Sequence, residues 1–220
     1  MKKEIVIAAY DKPLDWLKDL PNVKKTIYRK GGNKSSEFEE IKIEPNLGRC
    51  VHSFFNHIYL NYDNLSDYTF FAQDYPFDHW GNMIEIINGA VSEIPNKASL
   101  TIDGYYGFHN NILGTAWAMS PSEHFGSGFV LKCLSNGYPQ DHNPLINVDK
   151  YWDILFDSPK PNMYEFMPGG HFGITKEHIR LRSRDVYKKI CELLIDDTTA
   201  PWMIERLECY VFNPKYKTKL

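Results

Sequence analysis

Val51-His52-Ser53-Phe54-Phe55-Asn56-His57-Ile58-Tyr59-Leu60-Asn61-Tyr62, followed after a short turn by Tyr68-Thr69-Phe70-Phe71-Ala72, is the stretch that decides the fold class. Val51, Phe54, Phe55, Ile58, Tyr59 and Tyr62 recur at helical spacing and form one continuous apolar stripe. The second segment reads as a buried strand. Working outward, Ile5-Val6-Ile7-Ala8-Ala9-Tyr10 is a continuous apolar run with β-branched residues, as in a strand buried on both faces. Asp11-Lys12-Pro13 ends it, and Leu14-Asp15-Trp16-Leu17 begins a short helix. Lys25-Thr26-Ile27-Tyr28 is a further strand, stopped by Lys30-Gly31-Gly32-Asn33, and residues 33–40 are a polar surface loop. Strand, helix, strand in this rhythm implies crossover connections and a mostly parallel central sheet flanked by helices.

Residues 96–147, rich in Gly, Asn, His and Pro, give no clear element and are expected to hold loops covering one edge of a cleft. Beyond them Val148, Tyr151, Trp152, Leu155 and Phe156 return to helical spacing. The segment from Tyr164 to Thr175 reads as one strand interrupted by Pro168-Gly169-Gly170. Ser183 is placed to cap a helix whose Val186, Tyr187, Ile190, Leu193 and Leu194 face inward. Pro201 opens a last helix with Ile204, Leu207 and Val211 on one face. With no internal repeat and no linker, residues 1–212 are expected to form one α/β domain, and 213–220 a basic tail or the start of a linker.

Composition narrows the function classes. At roughly 150 residues per domain, 220 residues suit one large domain, and 43% apolar residues are enough to bury a core. Lys plus Arg number 25 against 28 Asp plus Glu, a net charge of −3, which argues against a nucleic-acid backbone as the ligand. No stretch approaches the roughly 20 apolar residues of a membrane span, and the N-terminus lacks the pattern of a signal peptide. Cys50, Cys133, Cys191 and Cys209 form no Cys-x-x-Cys pair, which favours reduced thiols and a soluble, cytoplasmic protein. The aromatic share of 15% suits a cleft that presents ring faces and suits an aromatic core equally.

In an open parallel sheet, ligands bind beyond the carboxyl ends of the strands. Three polar clusters fall at such ends: Tyr10-Asp11, Arg29-Lys30-Gly31-Gly32, and Gln73-Asp74 through His79. Asp74, Asp78 and His79 supply two carboxylates and an imidazole that suit Mg²⁺ or Mn²⁺; the same residues suit an Asx-turn with solvated acids. Arg49 and His52 flank the start of the 51–62 helix, where a turn at Asn46-Leu47-Gly48 and backbone N–H groups favour a phosphate; Arg49 paired with a surface acid is the plainer alternative. Gly169-Gly170-His171-Phe172-Gly173 would let a ligand approach closely and leaves His171 free to complete a site begun by Asp78, although a tight bend also explains the glycines. Glu208 lies close to the apolar stripe of the last helix and Glu205 on its border, so either carboxylate is a candidate general base, with an ion pair to Arg206 or Lys215 as the alternative. There is no Gly-x-Ser-x-Gly elbow, Walker-type loop or Gly-x-Gly-x-x-Gly after the first strand, so nucleotide hydrolases and nicotinamide enzymes lose ground.

Several segments occur together in one order: Ile5-Val6-Ile7-Ala8-Ala9-Tyr10-Asp11, Ile27-Tyr28-Arg29-Lys30-Gly31, Pro45-Asn46-Leu47-Gly48-Arg49, Phe71-Ala72-Gln73-Asp74-Tyr75-Pro76-Phe77-Asp78-His79, Pro168-Gly169-Gly170-His171-Phe172 and Trp202-Met203-Ile204-Glu205-Arg206. In these the chain resembles a family of glycosyltransferase-like domains found in bacteria, fungi and large DNA viruses, among them the N-terminal glycosyltransferase domain of chlorovirus proteins. The resemblance implies a single GT-A-like α/β domain, of nucleotide-diphospho-sugar transferase type, that transfers a sugar from a UDP-sugar to a glycan acceptor hydroxyl with inversion; a viral member would act in the host cytoplasm. It implies Mn²⁺ or Mg²⁺ held by an acidic motif after a buried strand, here Asp74 or Asp78 although no strict Asp-x-Asp is present, beside the candidate ligands His79 and His171 noted above. By the same resemblance Ala9, Tyr10 and Asp11 meet the base and ribose, Arg49 and His52 the phosphates, and Gln73 and Asp74 the donor. Gly169, Gly170 and His171 would line the sugar or acceptor side, and Glu205, with Glu208 as the second candidate, would be the base. The competing classes are a non-catalytic nucleotide- or carbohydrate-binding module and a metal-dependent hydrolase.

Overall fold

The computed structural model describes residues 1–32, 37–43, 45–98, 100–102, 104–108, 117–119, 134–135, 138–139, 148–161, 164–167 and 169–219. Seven strands form the central sheet: β1 (Lys3–Ala9), β2 (Lys24–Arg29), β3 (Ile41–Lys42), β4 (Tyr68–Gln73), β5 (Leu100–Ile102), β6 (Tyr105–Gly107) and β7 (Phe172–Thr175), in the order β3-β2-β1-β4-β7-β6-β5. The described helices are α1 (Arg49–Asn61), α2 (Met83–Asn88), α3 (Ile94–Lys97), α4 (Val148–Leu155), α5 (Lys176–Ile179), α6 (Arg184–Asp196) and α7 (Ala200–Val211), with a 3-10 turn at Asp15–Asp19.

The fold is α/β, but its sheet is mixed, which corrects the mostly parallel expectation. β1 pairs in parallel with β2 and β4, and β2 with β3. β7 runs antiparallel to β4 and β6, and β5 antiparallel to β6. The cause lies in the connections. β1, β2 and β4 are joined by crossovers that return the chain to the starting edge, whereas β7 enters from the Gly169-Gly170 turn at the C-terminal end of β4 and must run back down. The segment expected as one interrupted strand is therefore two: Tyr164–Phe166 pairs with Trp117–Met119 in a separate ladder, and only Phe172–Thr175 joins the central sheet.

Alternation along β1 sends its side chains to two cores. Ile5, Ile7 and Ala9 pack with Leu14, Leu17, Met83 and Ile86 on one face. Val6 and Ala8 pack on the other with Val51, Phe54, Phe55 and Ile58 of α1 and with the inner faces of α6 and α7. The α1 stripe is the strongest match to the sequence reading: those four side chains are at most 1% exposed, each worth about 2 kcal/mol of gross transfer energy. Residues 213–219 are not free of the domain, as a tail would be. Arg182 donates from Nε to the Val211 carbonyl at 2.7 Å and from Nη2 to those of Asn213 and Tyr216 at 2.6 Å. Tyr216 meets Trp152 edge-on at 5.1 Å, and Thr218 bridges Phe156. No described helix is long and apolar enough to cross a membrane.

Candidate functional site

The chain leaves β1 outward to β2 and β3, then returns through α1 to β4 on the other side of β1. That reversal opens a crevice beyond the C-terminal ends of β1 and β4, the usual ligand position in such sheets. The register places Ala9 opposite Arg29 and Ala8 opposite Gln73, so Tyr10, Lys30 and Asp74 emerge side by side. They border a cleft of about 510 Å³, closed on its far side by Asn46 and Arg49 at the start of α1 and by Trp202 and Glu205 of α7.

Of the residues singled out in the sequence, Ala9, Tyr10, Arg49, Gln73, Asp74 and Glu205 line this cleft. Asp74 is buried, and its Oδ2 accepts the backbone N–H groups of Tyr10, Asp11 and Lys12 at 2.8, 3.1 and 3.0 Å. Trp16 Nε1 donates to its carbonyl at 2.9 Å. The carboxylate thus ties the loop after β1 to the end of β4. Beneath that loop, Gly32 lies at φ +68°, where a Cβ would stand 2.0 Å from the Tyr10 carbonyl oxygen, so only glycine admits the approach. Tyr10 keeps half of its surface exposed.

The opposite wall is built on a strained turn. Gly48 and Arg49 both take left-handed backbone, at φ 68° and 51°; for Arg49 this costs about 1 kcal/mol or more. Lys30 holds the turn: its Nζ donates to the carbonyl oxygens of Leu47 and, at 2.7 Å, of Arg49. Arg49 is exposed, with its guanidinium 4.8 Å from the centre of the Trp202 ring. His52 is buried below, its Nδ1 3.4 Å from Lys30 Nζ, and does not line the cleft. Burial, with the Lys30 charge beside it, brings His52 down to about 4, so it is neutral at pH 7.

Glu205 Oε1 accepts the Gly169 N–H at 3.0 Å, and Gln73 Nε2 donates to the Gly169 carbonyl at 3.0 Å. The glycine turn thereby links β4 to α7, although neither Gly169 nor Gly170 lines the cleft. Neither Arg206 nor Lys215 forms an ion pair with Glu205 among the described residues; Arg206 instead caps the Phe166 ring at 4.8 Å. Glu208 is buried away from the cleft, its Oε1 accepting the Tyr105 hydroxyl at 2.7 Å. Burial raises its pKa well above its ordinary value, which favours the protonated form.

The metal candidates do not assemble. Asp78 and His79 are surface neighbours, 60% and 40% exposed and 3.8 Å apart; His171 is buried, its ring 5.8 Å from that of His79. None of these three lines the cleft, nor does Asp11. Among the described residues no group of three His, Cys, Asp or Glu could hold an ion. With Asp74 Oδ2 committed to three amides, the candidates Asp74, Asp78, His79 and His171 do not come together as one ion site among the described residues. Pro168, and the 96–147 loops apart from 96–98, 100–102, 104–108, 117–119, 134–135 and 138–139, lie outside the described residues, as do His109, His124, His142 and Cys133.

Of the residues that line the cleft, Trp202 was not singled out as a candidate, and Lys30 only within the Arg29-Lys30-Gly31-Gly32 cluster. Trp202 stands three residues before Glu205, the spacing that puts both on one helix face. Lys30 carried the weaker signal of a cation directly after a strand end. Among curated proteins and among solved structures, none matches the chain. The family model DUF3431, a protein of unknown function, matches residues 5–218, so the chain belongs to the DUF3431 family.

Proposed function

We propose that the protein is a glycosyltransferase of GT-A-like architecture that moves a sugar from a nucleotide-diphosphate donor, a UDP-sugar, to a glycan hydroxyl with inversion. The observation that carries this reading is that Arg49 and Glu205 line one cleft at the reversal point of the sheet, a cation for a departing diphosphate on the same side as a carboxylate for an acceptor. Tyr10, half exposed above its glycine turn, offers a ring face to the base.

In the proposed reaction Glu205 removes the proton of the acceptor hydroxyl as that oxygen bonds to the anomeric carbon. The bond from that carbon to the β-phosphate oxygen breaks, and its electron pair leaves with the nucleoside diphosphate. Hydrogen bonding from Gly169 to Glu205 Oε1 fixes the carboxylate and leaves Oε2 to take the proton. Arg49 draws off charge developing on the leaving group, a contribution that grows toward the transition state. The test is transfer from a panel of UDP-sugars to oligosaccharide acceptors. Glu205→Gln should lose about 10²–10⁴-fold in kcat while donor binding is retained. Transfer at the parental rate would remove Glu205 as the base.

A further inference from the structure

Lys30 is 4% exposed, reaches the wall of the cleft, and makes no ion pair among the described residues. Its ammonium is satisfied by neutral acceptors alone: the carbonyls of Leu47 and Arg49, and His52 Nδ1 at 3.4 Å. A buried charge compensated only by dipoles is costly, and burial draws this amine down to about 8. Arg49 stands beside it on the Trp202 ring, also without an ion pair among the described residues. One wall of the cleft therefore presents two cations that lack a protein counter-charge, and a polyanion seated there would supply it. The metal candidates follow the opposite pattern: Asp74 Oδ2 is saturated by three amides, Asp78 and His79 lie outside the cleft lining, and the other carboxylate of the lining, Glu205, accepts the Gly169 N–H.

We infer that the Lys30–Arg49 wall is a diphosphate seat that neutralises its ligand with protein cations, so that nucleoside diphosphate binds here without a divalent ion. The nucleoside part of this inference rests on the donor reading above; the seat itself does not. The two cations divide the work. Arg49 is exposed and its forked donors match phosphate oxygens. Lys30, whose hydrogens are taken, is a positioning residue: it contributes charge and holds the carbonyls that keep Arg49 in its left-handed conformation.

The experiment is calorimetric titration of the folded protein with inorganic pyrophosphate, UDP and GDP, each in excess EDTA and again with Mn²⁺. We expect pyrophosphate and one nucleotide to bind in EDTA, with affinity unchanged by Mn²⁺. Arg49→Gln should weaken both by about 10- to 100-fold, the worth of a charged hydrogen-bond pair. Arg184→Gln, which removes the same charge at the far end of α1 beside Tyr59, should leave them unchanged. Nucleotide binding that appears only with Mn²⁺ overturns the inference and leaves the donor reading standing. Pyrophosphate binding in EDTA with no uptake of UDP or GDP upholds the seat and overturns the donor reading. No binding at all, or parental affinity in Arg49→Gln, overturns the seat.

Discussion

Asp74 shows how one residue's chemistry is decided by what its neighbours leave for it to do. Its place at the end of a buried strand, with Asp78 and His79 nearby in sequence, suits a metal ligand. In the fold, β1 ends beside β4, and three consecutive amides of the loop after β1 converge on one carboxylate oxygen. Those amides lie beyond the end of β1, and a buried carboxylate is a strong acceptor for them. Removing the charge while keeping the shape isolates this role. Asp74→Asn should lower stability by about 2 kcal/mol in urea unfolding and speed amide exchange at Tyr10, Asp11 and Lys12 ahead of the rest of the sheet. Unchanged protection of those three amides would show that the clamp does not order the loop.

At the scale of an element, α7 carries two carboxylates one turn apart in opposite settings. Glu205 borders the cleft; Glu208 is enclosed with Tyr105, and burial raises its pKa and favours its protonated form. The spacing of Ile204, Leu207 and Val211 already places Glu208 near the buried stripe and Glu205 at its border, so the environments were legible before the fold was known. What the spacing did not reveal was which carboxylate borders the cleft, because that depends on the Gly169 turn packed against α7 from 36 residues away. Glu208 has a testable signature. A group whose folded pKa is raised contributes stability that is complete below its unfolded pKa and is lost as pH rises, because the unfolded chain ionises while the buried acid cannot. Glu208→Gln removes this titration and keeps an oxygen for the Tyr105 hydroxyl. Its Tm relative to the parent should therefore rise steadily from pH 5 to pH 8. A difference that does not vary with pH would mean that Glu208 is not held neutral.

Across the whole molecule, the parallel half of the sheet was readable and the antiparallel half was not. β1, β2, α1 and β4 are long, periodic and bounded by turn residues, and the cleft follows from their C-terminal ends. β5, β6 and β7 have three or four residues each, too few to show a period, and their direction is set by the Gly169-Gly170 turn. The burial of Lys30 and the docking of residues 213–219 are tertiary facts with no local pattern. Tertiary burial also ties the stability of both halves to pH through α1. His52 sits under the cleft end of this helix, and His57 faces Glu4 of β1 towards the other end. Burial lowers both imidazoles, His52 to about 4. Burial opposes the Glu4 carboxylate, yet His57 and hydrogen bonds from Thr26, Lys24 and Ser66 hold it below its usual range. All three shifts have one sign: each folded-state pKa is depressed, so the unfolded chain binds more protons and stability is lost as pH falls. For His52 the loss runs from about pH 6.5 down to about 4 and amounts to roughly 3 kcal/mol. Glu4 adds its own loss at the acid end. We expect urea-unfolding free energy to decline steeply between pH 6.5 and 4, with His52→Gln flattening the decline by about that amount. A flat profile over this window in the parent protein would mean that these histidines are open to protons in the native state.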